Sequence, residues 1–128
     1  MDPRTTVSAY YDALRHGEPL GPFFADEGPD DDQFLKFGLS ERLVGATEIR
    51  AGLERQTETT TDWAVTSHDL RVTGRECHAW FSDEVTMAWT DTAADRRHEF
   101  DTRWSGTLER DSGRWQFVGM HVSAPCQL

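Results

Sequence analysis

The stretch Asp111-Ser112-Gly113-Arg114-Trp115-Gln116-Phe117-Val118-Gly119-Met120-His121-Val122-Ser123 decides how this chain folds. Its first three residues are turn formers, and those that follow alternate between two sets, so it reads as a tight reversal feeding a β-strand. Residues 98–110 carry a matching alternation, which makes the pair a hairpin. Taken as a three-residue loop with Gly113 in the left-handed region, the reversal pairs Arg110 with Arg114. Trp115 then faces Glu109, Phe117 faces Thr107, Gly119 faces Ser105, His121 faces Arg103 and Ser123 faces Asp101. The other side carries Val118, Met120 and Val122 against Gly106, Trp104 and Thr102. A two-residue loop changes which residues share a face.

Working outward, residues 63–73 and 77–90 also read as strands, separated from their neighbours by the turn-like Gly74-Arg75-Glu76 and residues 93–96. Short connections of this kind join antiparallel neighbours, so the last four strands form a meander. Upstream the period changes. Asp2 and Pro3 make an N-cap followed by proline at the first helical position, and Val7, Tyr10, Tyr11 and Leu14 recur at helical spacing until Gly17. Residues 20–25 read as a helical turn, Gly28-Pro29-Asp30 as a loop, and residues 34–44 as holding a short strand. After Gly45, Thr47 is placed to cap a helix with Ile49, Leu53 and Gln56 on one face. Helices first and long strands after predict an α+β fold: a curved, mainly antiparallel sheet wrapped around N-terminal helices in one domain, residues 1–128.

Composition bounds the partners. The 128 residues carry 23 acidic against 13 basic side chains, a formal charge of −10, and no basic stripe that could neutralise phosphates, so nucleic acid is excluded as the expected partner. No apolar run approaches the roughly 20 residues of a membrane span. Cys77 and Cys126 are too far apart for a C-x-x-C motif, and the opening residues lack the apolar core of a secretory signal, so the expected setting is a reduced cytoplasm. Metal-ligand spacing, a glycine-rich phosphate loop and a Gly-x-Ser-x-Gly elbow are all absent from the sequence, and neither a metal nor another cofactor is expected.

Both sides of the last hairpin carry residues of the buried type, so one side is expected to cover the helices and the other to meet a partner. The side with Phe117, His121 and Arg103 is assigned to an interior cavity. The side with Trp104, Met120 and Val122 is assigned to a homodimer contact on the outer sheet face. On the preceding strand Ala79, Phe81, Val85, Met87 and Trp89 share one side, interrupted by Asp83, a carboxylate costly to bury unless paired. Together these predict a polar cluster of Asp83, Asp101, Arg103, His121 and Ser123 in a cavity walled by Phe81, Met87, Trp89 and Phe117. His121 or Asp83 would move a proton and Arg103 would clamp a carboxylate or enolate oxygen. The alternatives stay open: a structural histidine, and an arginine tied to Asp83 or Asp101. Lys36, the one lysine beside twelve arginines, reads as a solvated residue, with Schiff-base chemistry as the lesser alternative.

The ending Asp111 to Pro125, with Gly113-x-Trp115 followed by His121-x-Ser123, resembles the closing strand of SnoaL-like domains in the nuclear-transport-factor-two-like superfamily. A first helix ending at His16-Gly17, the segment Phe24-Ala25-Asp26 and the unit from Val44-Gly45 to Leu53 are similar as well. The resemblance implies a cone-shaped fold, a curved sheet around a long helix, a pocket at the wide end and a homodimer. That superfamily holds ketosteroid isomerase, polyketide cyclases, dehydratases and non-catalytic binding or assembly domains, so fold alone does not choose among them. Tyr10 falls where ketosteroid isomerase carries its oxyanion-stabilising tyrosine. Lys36 falls near the place of its base aspartate, and an ammonium does not take a proton from carbon, which argues against steroid isomerisation. The expectation is a small-molecule-binding protein for an apolar carbonyl or carboxylate compound. Its chemistry, if any, would be cofactor-free proton transfer, with Tyr10 and Arg103 holding the oxyanion. The competing expectation is a non-catalytic association module that uses the outer sheet face.

Overall fold

The computed structural model describes residues 2–26 and 31–128, so the Gly28-Pro29-Asp30 loop lies outside the described residues. Helix α1, Pro3–His16, starts where the Asp2 carboxylate accepts from the Thr5 backbone N–H at 2.8 Å and stops at Gly17, whose φ of 67° suits a residue without Cβ. Its buried stripe is Val7, Tyr10, Tyr11 and Leu14, as the spacing predicts. The short helical turn Gly21–Phe23 follows. Strands β1, Leu35–Phe37, and β2, Arg42–Val44, form a small hairpin where the sequence suggested one short strand.

Helix α2 spans Ala46–Thr59. It begins before Thr47, because Gly45 at φ 88° takes the N-cap position and the Glu48 carboxylate accepts from the Val44 N–H. Ile49 and Leu53 are buried on its inner stripe.

The predicted strand 63–73 is two strands, β3, Thr60–Ser67, and β4, Arg71–Gly74, both laid antiparallel on β5, His78–Asp91. Then come β6, Arg96–Asp111, and β7, Arg114–Ser123. The sheet order is β2-β1-β7-β6-β5-β3 with β4 also on β5; β1 pairs parallel with β7, as does the isolated bridge from Phe24 to Phe117. Two helices cover one side of this seven-stranded, mostly antiparallel, curved sheet, which is the α+β architecture expected. Among the described residues no helix is long and apolar enough to cross a membrane.

The decisive hairpin differs from its sequence reading in two ways. Ser112 and Gly113 both have positive φ, 52° and 78°, so the loop holds two residues and pairs Asp111 with Arg114, Arg110 with Trp115 and Leu108 with Phe117. The pairing then slips: Thr107 meets Gly119, leaving Val118 as the extra residue of a β-bulge. Beyond the bulge the partners are Gly106 with Met120, Ser105 with His121, Trp104 with Val122 and Arg103 with Ser123. The bulge moves the side-chain alternation by one position. Trp115, Phe117, Met120 and Val122 are therefore all buried on the helix-facing side, while His121 is exposed on the other. Gly106 is required beside the bulge, since a Cβ there would stand 2.6 Å from the Gly119 carbonyl oxygen and 2.6 Å from the Phe81 ring.

Candidate functional site

Register decides which side chains reach the interior. Because β1 runs parallel to β7 with Lys36 opposite Met120 and Phe37 opposite His121, Lys36 shares the buried side and Phe37 the outer one. Lys36 is 5% exposed. The Gly38–Glu41 turn, closed by the Gly38 N–H on the Glu41 carbonyl at 3.0 Å, folds the Glu41 side chain back so that Lys36 Nζ donates to Glu41 Oε1 at 2.5 Å. Gly38 makes room for that fold-back: a Cβ at this position would lie 2.7 Å from Glu41 Cγ. The Glu41 side chain remains 32% exposed, so the pair bridges interior and solvent.

These two groups border a cavity of about 130 Å³ that is otherwise walled by Tyr10, Trp63, Met87, Trp89, Trp104, Met120 and Val122. Trp63 enters through a second irregularity. The β3–β5 pairing shifts between Thr61 and Ala64, Asp62 adopts φ 54°, and Trp63 donates from Nε1 to Thr60 Oγ1 at 2.8 Å while its ring stacks on Trp89 at 5.0 Å. Leu14, Gln56, Thr60 and Trp63 also border a neighbouring chamber of about 250 Å³, near the C-terminal ends of both helices. The site thus joins aromatic and aliphatic walls to one buried ammonium, one carboxylate, one phenol and the polar side chains of Ser40, Gln56 and Thr60.

Tyr10 sits at the back of the cavity, 1% exposed, against Phe23, Phe24, Trp104 and Phe117 at ring separations of 5.4–6.2 Å. Burial, reinforced by the Glu41 charge, raises its phenol well above the ordinary range. Its neighbour Tyr11 is raised too, by burial first and then by the hydrogen bond to Asp83 and that carboxylate's charge. These are the chain's two tyrosines. A raised folded-state pKa contributes stability that is complete below the unfolded value near 10 and is lost as pH climbs through the folded one. Alkaline titration is therefore expected to show no tyrosinate absorbance until the protein unfolds, at which point both phenols ionise together. A tyrosinate signal near pH 10 with circular dichroism unchanged would contradict this environment.

The residues nominated from sequence divide into three groups. Tyr10, Met87 and Trp89 line the cavity. Phe81 and Phe117 lie deeper, in the aromatic core beneath Tyr10, with ring centroids 5.7 Å apart. Arg103, Asp101, His121 and Ser123 face away from the helices, where Arg103, His121 and Ser123 border a shallow groove with Ser82, Glu84 and Ser105. The predicted opposition of His121 and Arg103 is corrected to His121 with Ser105, and Asp101 accepts from Thr86 Oγ1 at 2.8 Å. The other correction is the converse one. Trp104, Met120 and Val122, assigned from sequence to a dimer contact on the outer face, are buried walls of the cavity.

Asp83 lies opposite Trp104 and is 4% exposed, and it also borders the groove that Arg103, Ser105, His121 and Ser123 line. Its Oδ2 accepts from Tyr11 Oη at 2.9 Å and Ser67 Oγ at 2.6 Å, and its Oδ1 from the Asp69 N–H at 3.0 Å. It therefore ties helix α1 to the corner between β3 and β4. Lys36 and Glu41 were missed as a site; the only sequence signal was that Lys36 is the sole lysine. Among the described residues no cluster of histidine, cysteine, aspartate and glutamate is arranged to hold a metal.

Comparison with known proteins agrees with this fold. Residues 4–127 match the sequence model of the SnoaL-like domain. A candidate dehydratase of the NTF2-like family from Streptomyces avermitilis superposes with a TM-score of 0.83 at 14% identity, covering 97% of this chain and 94% of that one. A ketosteroid isomerase-like protein from Erwinia carotovora atroseptica gives 0.74 at 16% identity, covering 97% and 94%. A candidate calcium/calmodulin-dependent protein kinase II association domain from Xanthomonas campestris gives 0.76 at 15% identity, covering 98% and 86%. At such identities the likeness is one of fold. No curated protein matches the chain in sequence.

Proposed function

We propose, from the premise that this chain belongs to the SnoaL-like domain family, that it binds a small, mostly apolar molecule whose carbonyl or carboxylate oxygen is received by Lys36. The observation that carries this reading is the sole lysine, 5% exposed, with its ammonium on the border of an aromatic cavity. An ammonium has three N–H donors, and Glu41 is its one partner among the described residues, so donors remain for a ligand oxygen. Tyr10 makes no hydrogen bond among the described residues and can add a neutral donor. A cavity near 130 Å³ suits a single ring or a short acyl chain, as an engineered apolar cavity of about 150 Å³ suits benzene. With a bound carbonyl polarised by Lys36 and Tyr10, Glu41 is positioned to accept a proton, which makes cofactor-free isomerisation, cyclisation or dehydration the chemistry favoured. In this reading Tyr10 keeps the oxyanion role expected from sequence, Lys36 takes that of Arg103, and Glu41 takes the proton-moving role expected of Asp83 or His121.

The test uses benzoate, followed by quenching of tryptophan fluorescence from the cavity walls. Binding by Arg103→Ala and His121→Ala is expected to stay within about twofold of the unmodified protein, because both side chains lie on the other side of the sheet. Abolished binding in either variant would overturn the reading.

The outer face supports a second role beside the first. Trp80 is 44% exposed there, with the Arg75 guanidinium 5.1 Å from its ring centroid. A large exposed aromatic on a sheet face suits contact with a second copy. The expected result is a dimer mass that falls to that of the monomer in Trp80→Asp across a dilution series. A monomeric mass for the unmodified protein at every concentration would exclude this role.

A further inference from the structure

We infer that Lys36 is a covalent carbonyl trap, forming a reversible imine with small apolar aldehydes in the aromatic cavity. This rests on the pocket reading above and narrows its ligand class. Three features of the site bear on it. Lys36 is nearly removed from water, 5% exposed, and imines in bulk water are drawn back by hydrolysis, a reversal that burial of the residue slows. Its one hydrogen-bonded partner among the described residues is a carboxylate at 2.5 Å, the group required to take the ammonium proton and return it. The walls offer tryptophan, methionine and valine, which retain the apolar part of an aldehyde, and the Tyr10 side chain borders the same space.

The steps balance without any further reagent. The Lys36 ammonium gives one proton to the Glu41 carboxylate, and the freed lone pair of Nζ attacks the aldehyde carbon, forming the C–N bond while the C=O electron pair moves onto oxygen. The alkoxide takes a proton from the attacking nitrogen, giving a neutral carbinolamine. Glu41 then returns its proton to the hydroxyl, which leaves as water while the nitrogen lone pair forms the C=N bond. The sum is one ammonium and one aldehyde becoming one iminium and one water, with the iminium paired to the restored Glu41 carboxylate. Tyr10 can donate to the carbonyl oxygen during the attack.

The sequence makes the test clean, because Lys36 is the only lysine. Benzaldehyde is added with cyanoborohydride, which reduces an iminium to a stable benzylamine, and the modified peptide is located by mass spectrometry. Lys36 in the folded protein is expected to be benzylated at least roughly tenfold faster than in the urea-unfolded chain. Glu41→Gln is expected to slow the reaction on the order of a hundredfold, the low end of what a positioned proton donor contributes. Lys36→Arg keeps the charge beside Glu41 and has no nucleophile, so it is expected to take no label at this position. Benzoate quenching runs in parallel. If benzoate binds while Lys36 reacts no faster folded than unfolded, the covalent inference is overturned and the pocket reading stands. If benzoate does not bind and Lys36 is not labelled, both fail.

Discussion

Asp83→Ala is expected to lower the free energy of unfolding by about 3–5 kcal/mol, the sum of buried donors left unsatisfied at about 1–3 kcal/mol each. The carboxylate holds three donors from three parts of the chain: the Tyr11 hydroxyl on α1, the Ser67 hydroxyl at the end of β3 and the Asp69 N–H in the corner that follows. No cation lies within ion-pair distance among the described residues, so those donors alone compensate the desolvation of the carboxylate. Alanine leaves the buried Tyr11 phenol and the Asp69 N–H without acceptors. Against a typical total of about 5–15 kcal/mol, the loss removes about a fifth or more of the stability. Tyr11→Phe deletes one donor and keeps the ring packed on Trp104 at 5.4 Å, so about 1–2 kcal/mol is expected. Urea unfolding followed by circular dichroism measures both. A shift below about 1 kcal/mol for Asp83→Ala would mean that the corner and the helix are held by packing alone.

Lys36→Met carries the second large effect, on binding rather than folding. A charge-assisted hydrogen bond to a ligand oxygen is worth about 1.5–3 kcal/mol, so benzoate affinity is expected to fall roughly tenfold to a hundredfold. Methionine fills a similar length of cavity wall. The Glu41 carboxylate left behind is a third exposed and can hydrate, so stability is expected to move by less than about 1 kcal/mol. The combination is diagnostic. A general loss of fold would weaken both properties, and a lysine with no part in binding would weaken neither. Fluorescence titration and urea unfolding of the same preparation separate these outcomes.

The order of elements was legible because it rests on strong local signals. Asp2-Pro3 with the Val7, Tyr10, Tyr11, Leu14 stripe specified α1, and the alternation from Ala79 to Trp89 specified β5, since each pattern spans several periods. The family resemblance agreed with the order those signals predicted. The site was less legible, for two physical reasons. Parity depends on two single residues: Ser112 in the left-handed region makes a two-residue loop, which sets the side that β6 presents, and the bulge at Val118 moves every later side chain of β7 to the other side. Nothing in the composition of Val118-Gly119 distinguishes a bulge from a regular pair, so Met120 and Val122 were expected outside and His121 inside. The Lys36–Glu41 pair fails to show for a different reason. It is made by a reversal between two three-residue strands, and the depth of Lys36 is set by its parallel neighbour Met120, a partner 84 positions away by their residue numbers. Short-range periodicity carries no such information.

On the function proposed, ligand binding takes place inside the sheet at Lys36. A crystal structure of the protein grown with benzoate tests it most directly. The account predicts a ring between Trp63 and Trp104 with a carboxylate oxygen within hydrogen-bond distance of Lys36 Nζ. Benzoate seated instead on the outer groove beside Arg103 and His121, with the inner cavity holding none, would contradict it.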